Sequence, residues 1–296
     1  MRVTIVGVGL IGGSMAIDLK KSGFAHEIIG VDISEVHLEQ ALKLEIIDYS
    51  LTLKEATSKS DMVVLALPVS AVPMVIREVL ENLPENGVVF DTGSTKAQIC
   101  KQVREHPHRN KFVASHPIAG TENSGPGSAF SGLFKDKTNI VCEKESSSPH
   151  ALGMAEKAFG YLGLKTIYMD PVEHDKHVAY VSHLSHVSSF LLGQTVLDIE
   201  KDEKNIFNLA GSGFASTVRL AKSSPDMWAP IFEQNAEYLS QALLEYIMHL
   251  QRFQYFLMKR DVKQLHRIMS DANHIREVLN GIEQQQKKEI EKVNDK

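Results

Sequence analysis

The stretch that most constrains this chain is residues 1–32, reading MRVTIVGVGLIGGSMAIDLKKSGFAHEIIGVD. Arg2 to Val8 is a short apolar run rich in β-branched residues, the pattern of a buried strand. It runs into Gly7-Val8-Gly9-Leu10-Ile11-Gly12, a GxGxxG, after which Ser14 to Lys21 keep helical spacing and Gly23 supplies a stop. A second apolar strand, Glu27 to Val31, ends at Asp32, twenty positions after Gly12.

Each part of this unit has a physical task. Gly7 permits a tight turn, Gly9 lets backbone approach a pyrophosphate, and Gly12 lets the helix pack close to the strand. The helix start, with Leu10 and Ile11, offers free N–H groups and a partial positive charge to phosphates. A carboxylate at Asp32 accepts hydrogen bonds from an adenosine ribose and repels a 2′-phosphate, so NAD is expected over NADP. A lone GxGxxG says little. Strand before, helix after, and an acidic residue at the right distance together specify a dinucleotide fold.

The rest of the first half continues the pattern. Ser34 to Lys43 reads as a helix with Ser34 as its N-cap. Asp61 to Leu67 is a buried strand stopped by Pro68, Val72 to Leu83 a helix, and Gly87 to Asp91 the next strand. Further strands are expected at Lys111 to Ser115, Asn139 to Cys142 and Lys165 to Met169. Such βα alternation implies a Rossmann-type, doubly wound, mostly parallel sheet with helices on both faces. Ligands of such sheets sit beyond the carboxyl ends of the strands. That rule picks out Leu67, Pro68 and the residues after them, Thr92 to Lys96 with Ser94, and His116 to Gly120. His116 follows a strand directly and is held by Pro117. A histidine there can take a proton at neutral pH, with Ser94 expected within hydrogen-bonding reach. Thr121 to Lys137 is glycine- and serine-rich and long for a connection, as lids and disordered loops are; it carries Glu122.

Around Asp170-Pro171 the strand signals stop. Residues 1–169 are therefore assigned to a dinucleotide-binding domain and 170–296 to an all-α domain. Glu173 to Glu200 reads as one long helix whose His183 and His186 share a face. With no third ligand in view, a metal is not expected; one of the two should turn towards a cleft. Gly211 to Gly213 suggest an irregular turn before a helix carrying Arg219, a residue suited to gripping carboxylates. Ser224-Pro225-Asp226 begins another helix, which carries Trp228, the sole tryptophan of the chain. The last helices, to Lys259 and from Asp261 to about Glu291, bear apolar stripes (Leu239, Leu243, Tyr246 and Leu250; Leu265, Ile268, Ile275 and Leu279). These exceed what one small domain must cover, so a homodimer is expected. The polar end from Gln284 is expected to fray.

Composition removes several classes. A formal net charge of −5 offers no general attraction to nucleic acid or an anionic membrane. The apolar start is explained as a strand rather than a signal peptide, and no stretch reaches the roughly 18 apolar residues of a membrane span. The two cysteines form no CxxC, which fits a reducing, cytoplasmic location.

Five segments, GVGLIGGS, DTGSTK, HPIAGTE, SHLSH and GFASTVRLAKSSPDMW, occur in this order over both halves. In them the chain resembles the prephenate dehydrogenase family, which includes arogenate dehydrogenases. The resemblance implies NAD-dependent oxidative decarboxylation of prephenate to 4-hydroxyphenylpyruvate, towards tyrosine. It implies His116 as the group that takes the ring hydroxyl proton, with Ser94 orienting both. Arg219 would hold a substrate carboxylate, His186 and Trp228 would shape the pocket, and Glu122 would stand at its mouth. Two departures stand out: Ser185 replaces a common proline in SHLPH, and Ser216 replaces an acidic residue before the arginine. Arogenate as substrate stays open, since keto and amino side chains are not separated by these motifs. A β-hydroxyacid dehydrogenase shares the layout but uses a lysine where this chain has His183 and His186.

Overall fold

In a computed structural model the described residues are 1–201 and 205–281. The polar end from Gln284, and the last part of the helix expected to reach Glu291, lie outside them. Eight strands form one sheet: β1 (Arg2–Val6), β2 (Glu27–Val31), β3 (Tyr49–Ser50), β4 (Met62–Leu65), β5 (Val88–Asp91), β6 (Phe112–Pro117), β7 (Thr138–Cys142) and β8 (Lys165–Met169). Their order is β3-β2-β1-β4-β5-β6-β7-β8. Pairings through β6 are parallel, β6 meets β7 antiparallel, and β8 runs parallel to β7. The first six strands therefore carry the 3-2-1-4-5-6 order of a dinucleotide-binding sheet.

Helices cover both faces. They are α1 (Leu10–Lys21), α2 (Glu35–Lys43), α3 (Leu53–Lys59), α4 (Val72–Asn82), α5 (Ala97–Val103) and α6 (Pro149–Tyr161). One face buries Val3, Ile5, Val64 and Phe90 with Met15, Leu19 and Phe159; the other buries Val63, Leu65, Val89 and Phe112 with Ile76, Leu80 and Cys100. Alternate residues of one strand thus serve opposite cores, so the strands read as unbroken apolar runs. Ser34 caps α2 by accepting from the His37 N–H. The start of α6 at Ser148-Pro149, an N-cap followed by proline at the first turn, was legible but not singled out above.

The segment Thr121 to Lys137 is not a free lid. The Phe130 N–H donates to Ser14 Oγ at 3.1 Å, and the Ser131 hydroxyl donates to Asp18 Oδ1 at 2.7 Å. Phe134 is fully buried in the core. These contacts pin its second half to α1, because a buried aromatic and a carboxylate on that helix outweigh the flexibility of the glycines.

The second half is helical: α7 (Pro171–Val178), α8 (Leu184–Glu200), α9 (Ser212–Thr217), α10 (Pro225–Gln234), α11 (Ala236–Met258) and α12 (Val262–Ala272). Asp170 caps α7, accepting from the Val172 and Glu173 N–H groups. The single helix expected over Glu173 to Glu200 is interrupted by a π-helical turn, Ala179–His183. The chain divides into two compact units, Met1–Leu239 and the residues from Ser240 onward. Residues 170–239 thus lie in the unit that holds the sheet. In the second unit Leu244, Met248, Leu250, Leu257, Val262 and Met269 are exposed.

The glycine turn is built as its sequence requires. Gly7 has φ +92°, and a Cβ on it would lie 2.3 Å from the Ala66 carbonyl oxygen after β4. A Cβ on Gly12 would lie 2.0 Å from the Gly7 carbonyl oxygen. Gly9 is different: a Cβ there meets nothing within 4 Å. Its smallness serves no neighbour in the protein, which leaves room for an incoming group. Gly12→Val should therefore destabilise the fold by about 3 kcal/mol or more. Gly9→Val should melt like the parent but lose dinucleotide binding, which thermal unfolding and NAD titration together would check.

Candidate active site

The strand ends bring a polar cluster together. Asp91, at the end of β5, accepts from the Gly93 N–H at 2.9 Å and the Ser115 N–H at 3.1 Å. Its carboxylate also pairs with Lys96, whose side chain is fully buried. That pair satisfies an ammonium no water reaches, and it fixes the DTGSTK loop against β6. His116 follows Ser115 on the strand and is itself buried.

The Nδ1 of His116 lies 2.8 Å from Nε2 of His174 on α7, with the rings edge to face. His174 Nδ1 in turn lies 2.7 Å from Asp175 Oδ1. Asp175 accepts two further bonds: Oδ1 takes the Lys96 N–H at 2.7 Å, and Oδ2 the Ala97 N–H at 2.9 Å, at the start of α5. A carboxylate only accepts, so His174 Nδ1 carries a hydrogen, and in the neutral ring Nε2 is then the acceptor. His116 must then donate from Nδ1, which leaves its Nε2 with a lone pair. Burial, then the neighbouring His174, Lys96 and His183, push the His116 pKa well below its ordinary value. At neutral pH this ring is an uncharged proton acceptor.

The expected Ser94–His116 hydrogen bond is absent among the described residues. Ser94 is half-buried in the β5–α5 loop, and the Nδ1 of His116 is already committed to His174. Sequence reasoning had passed over Asp91, Lys96, His174 and Asp175. The acid-to-lysine spacing in DTGSTK and the adjacent histidine and aspartate of EHDKH were the available signals.

The π-helical turn sets the next group. It presents His183 and His186 to one aromatic ring: Trp228 meets His183 edge to face at 5.9 Å and stacks on His186 at 3.5 Å. His183 is buried, its Nδ1 accepts from Asn235 Nδ2 at 3.1 Å, and burial pushes its pKa down to about 4. Asn235 Nδ2 also donates to the Asp175 carbonyl at 2.7 Å, joining this group to the first. His186 is half-buried and donates from Nδ1 to the Ser182 carbonyl, leaving Nε2 open. Trp228 packs on Val69 from the loop after β4, and its indole N–H is buried with no partner. A buried donor without an acceptor is costly unless a ligand supplies one.

Arg219 begins a 3-10 turn, Arg219–Lys222, and is not carried on a helix as expected. A proline at 225 and an N-cap at Ser224 start α10 only later, so the intervening residues stay irregular. Its guanidinium lies 3.6 Å from Glu122, with the arginine side chain 54% exposed. The acidic neighbour missing at Ser216 is thus replaced by one from the β6–β7 loop. At this exposure the pair orients the guanidinium more than it stabilises the fold. The positive charge of Arg219 reaches His186 and lowers its pKa, after burial. Asp175, Asn235, His183 and Trp228 thus link the His116–His174 pair to His186, while Arg219 pairs with Glu122.

Along the same carboxyl edge of the sheet, after β1, β2 and β4, a cofactor would find a prepared cradle. The N-terminal N–H groups of α1 have no side-chain cap, and Gly9 leaves space before them. Asp32 accepts from the Val8 N–H at 3.1 Å and the Ser34 N–H at 2.9 Å, which holds its carboxylate beside the turn. Leu67 and Pro68 follow β4 on the same edge, next to Ala66, whose carbonyl touches the turn. Among the described residues no cluster could hold a metal ion, and no helix is long and apolar enough to cross a membrane.

Comparison with known proteins agrees with this geometry. Residues 15–168 match the family model for the nucleotide-binding domain of prephenate dehydrogenase, and residues 170–271 match its dimerization domain. A prephenate dehydrogenase of Lactococcus lactis is 28% identical over 94% of this chain and 77% of its own length. A cyclohexadienyl dehydrogenase of Zymomonas mobilis is 29% identical over 88% of this chain and 89% of its own. Among solved structures, prephenate dehydrogenase from Aquifex aeolicus, in complex with hydroxyphenyl propionate and NAD+, superposes with a TM-score of 0.86. It is 30% identical and the match covers 93% of this chain and 97% of that one. Synechocystis arogenate dehydrogenase gives a TM-score of 0.74 at 26% identity, over 94% and 99%. On its sheet order, its polar cluster and both domain matches, this chain belongs to the prephenate dehydrogenase family.

Proposed function

We propose that this protein carries out the NAD-dependent oxidative decarboxylation of prephenate to 4-hydroxyphenylpyruvate. The observation that carries the reading is the open lone pair on His116 Nε2, imposed by the contact with His174 and the carboxylate behind it. The glycine turn, the start of α1 and Asp32 would hold NAD, which would supply the hydride acceptor. His116 accepts the proton of the ring hydroxyl as hydride leaves the same carbon. Loss of the ring carboxylate as CO2 then makes the ring aromatic, which drives the reaction forward. Arg219, aimed by Glu122, grips a substrate carboxylate, and the His186–Trp228 stack forms a wall against the ring. Ser94 lines the cofactor side of the site.

The exposed apolar side chains of the second unit support a homodimer formed through the helical part. The two cysteines are buried and free, as in a reducing cytoplasm. The test is formation of NADH with prephenate and with arogenate under the same conditions. A kcat/KM favouring prephenate supports the reading, and one favouring arogenate reassigns the substrate. His116→Ala should lower kcat by roughly 10²–10⁴-fold while NAD binding persists. Arg219→Ala should raise the KM for prephenate by about 10–100-fold, as loss of one charged hydrogen bond implies; an unchanged KM would remove it from substrate binding.

A further inference from the structure

We infer that the proton taken from the substrate hydroxyl is held on His174, with Asp175 as its counter-charge, and is handed back to the product within the same turnover. The inference rests on the reaction proposed above and assigns a task to two residues outside its direct contacts. It begins from the balance of that reaction. Prephenate, a dianion, loses CO2 and a hydride to give the 4-hydroxyphenylpyruvate monoanion, so no proton is released overall. The hydroxyl proton that leaves as the carbon is oxidised must return to the same oxygen once the ring is aromatic. The site needs a place to keep it in between.

His116 alone is a poor place. It is buried, with the Lys96 ammonium near it. Nδ1 of His116 already points at Nε2 of His174, 2.8 Å away. When Nε2 of His116 gains the hydroxyl proton, its Nδ1–H bond can break as a new N–H forms on His174 Nε2. His116 is then neutral again, and the positive charge sits on a ring whose other nitrogen is 2.7 Å from a carboxylate. His174 is fully inaccessible to solvent, so the proton cannot escape to water from there. The reverse hop restores His116 and protonates the phenol oxygen. No bond or charge is left over, and both rings end in their starting tautomers.

The groups facing the pair are consistent with this. Lys96 is neutralised by Asp91, and His183 accepts from Asn235 and is kept neutral by burial. Asp175 thus provides the negative charge in direct contact with His174. It also caps α5, so removing it outright would confuse charge with folding.

His174→Gln separates the alternatives, because a glutamine carbonyl can still accept from His116 Nδ1 yet cannot hold a proton. The expected result is a kcat lowered by about 10–100-fold, part of the usual worth of acid–base groups. NAD affinity and the prephenate KM should stay within a few-fold, and the acid limb of the kcat–pH profile should move to lower pH. Asp175→Asn, which keeps the shape and most of the cap, should shift the limb the same way. A His174→Gln enzyme with parental kcat and pH profile would overturn the inference, leaving His174 as a support for the His116 ring. Loss of NAD affinity in both variants would likewise make the pair scaffolding and overturn it. If the parent enzyme itself fails to oxidise prephenate, the fault lies in the proposed reaction, and this control separates the two failures.

Discussion

The carboxylate of Asp175 is the contact on which the site depends. It sits on the first helix after the sheet, yet three of its bonds decide what happens at the strand ends. Two hold the start of α5 and so the loop that carries Ser94 and Lys96. The third fixes the tautomer of His174, and through it that of His116. A single acceptor-only group thereby leaves a buried histidine as a base with its lone pair on Nε2. Without it, nothing in β6 would determine which nitrogen of His116 bears hydrogen.

The opposite wall is organised by backbone geometry. A regular helix through residues 179–183 would carry His183 and His186 past Trp228 with a different phase. The π-helical turn adds a residue to one turn, and such insertions recur at functional sites. Its result is one histidine edge-on to the indole and the other stacked on it. Arg219 follows the same logic. Exposed on a 3-10 turn, it gains direction from Glu122 across the fold. Two loops of weak local preference thus become a defined feature by pairing opposite charges.

How much of this could be read in advance differs between parts. The β1–α1–β2 unit was legible because its constraints are local: a left-handed φ at Gly7 and a helix packed too closely for a Cβ at Gly12 can be met by few sequences. Strand positions were legible for a related reason. Strands buried on both faces must be apolar throughout, and turns between them are marked by proline and glycine. Asp91, Lys96, His174 and Asp175 were not, since a charged residue in sequence looks the same whether it is solvated or buried in a pair. Ser94 was given the hydrogen bond that belongs to His174, because proximity along strand ends was visible and proximity across 58 residues was not.

The sequence by itself determined the kind of ligand. A glycine turn, an acidic residue at the end of the next strand and a histidine at a strand end are chemical requirements that survive without coordinates. Tertiary structure decided everything that depends on two distant groups meeting: which nitrogen of His116 is free, which carboxylate steadies Arg219, and how the long connection after β6 is fastened to α1. The reason is that backbone φ/ψ preference acts over a few residues, whereas hydrogen bonds and ion pairs act across space. Only the folded chain specifies which partners share it.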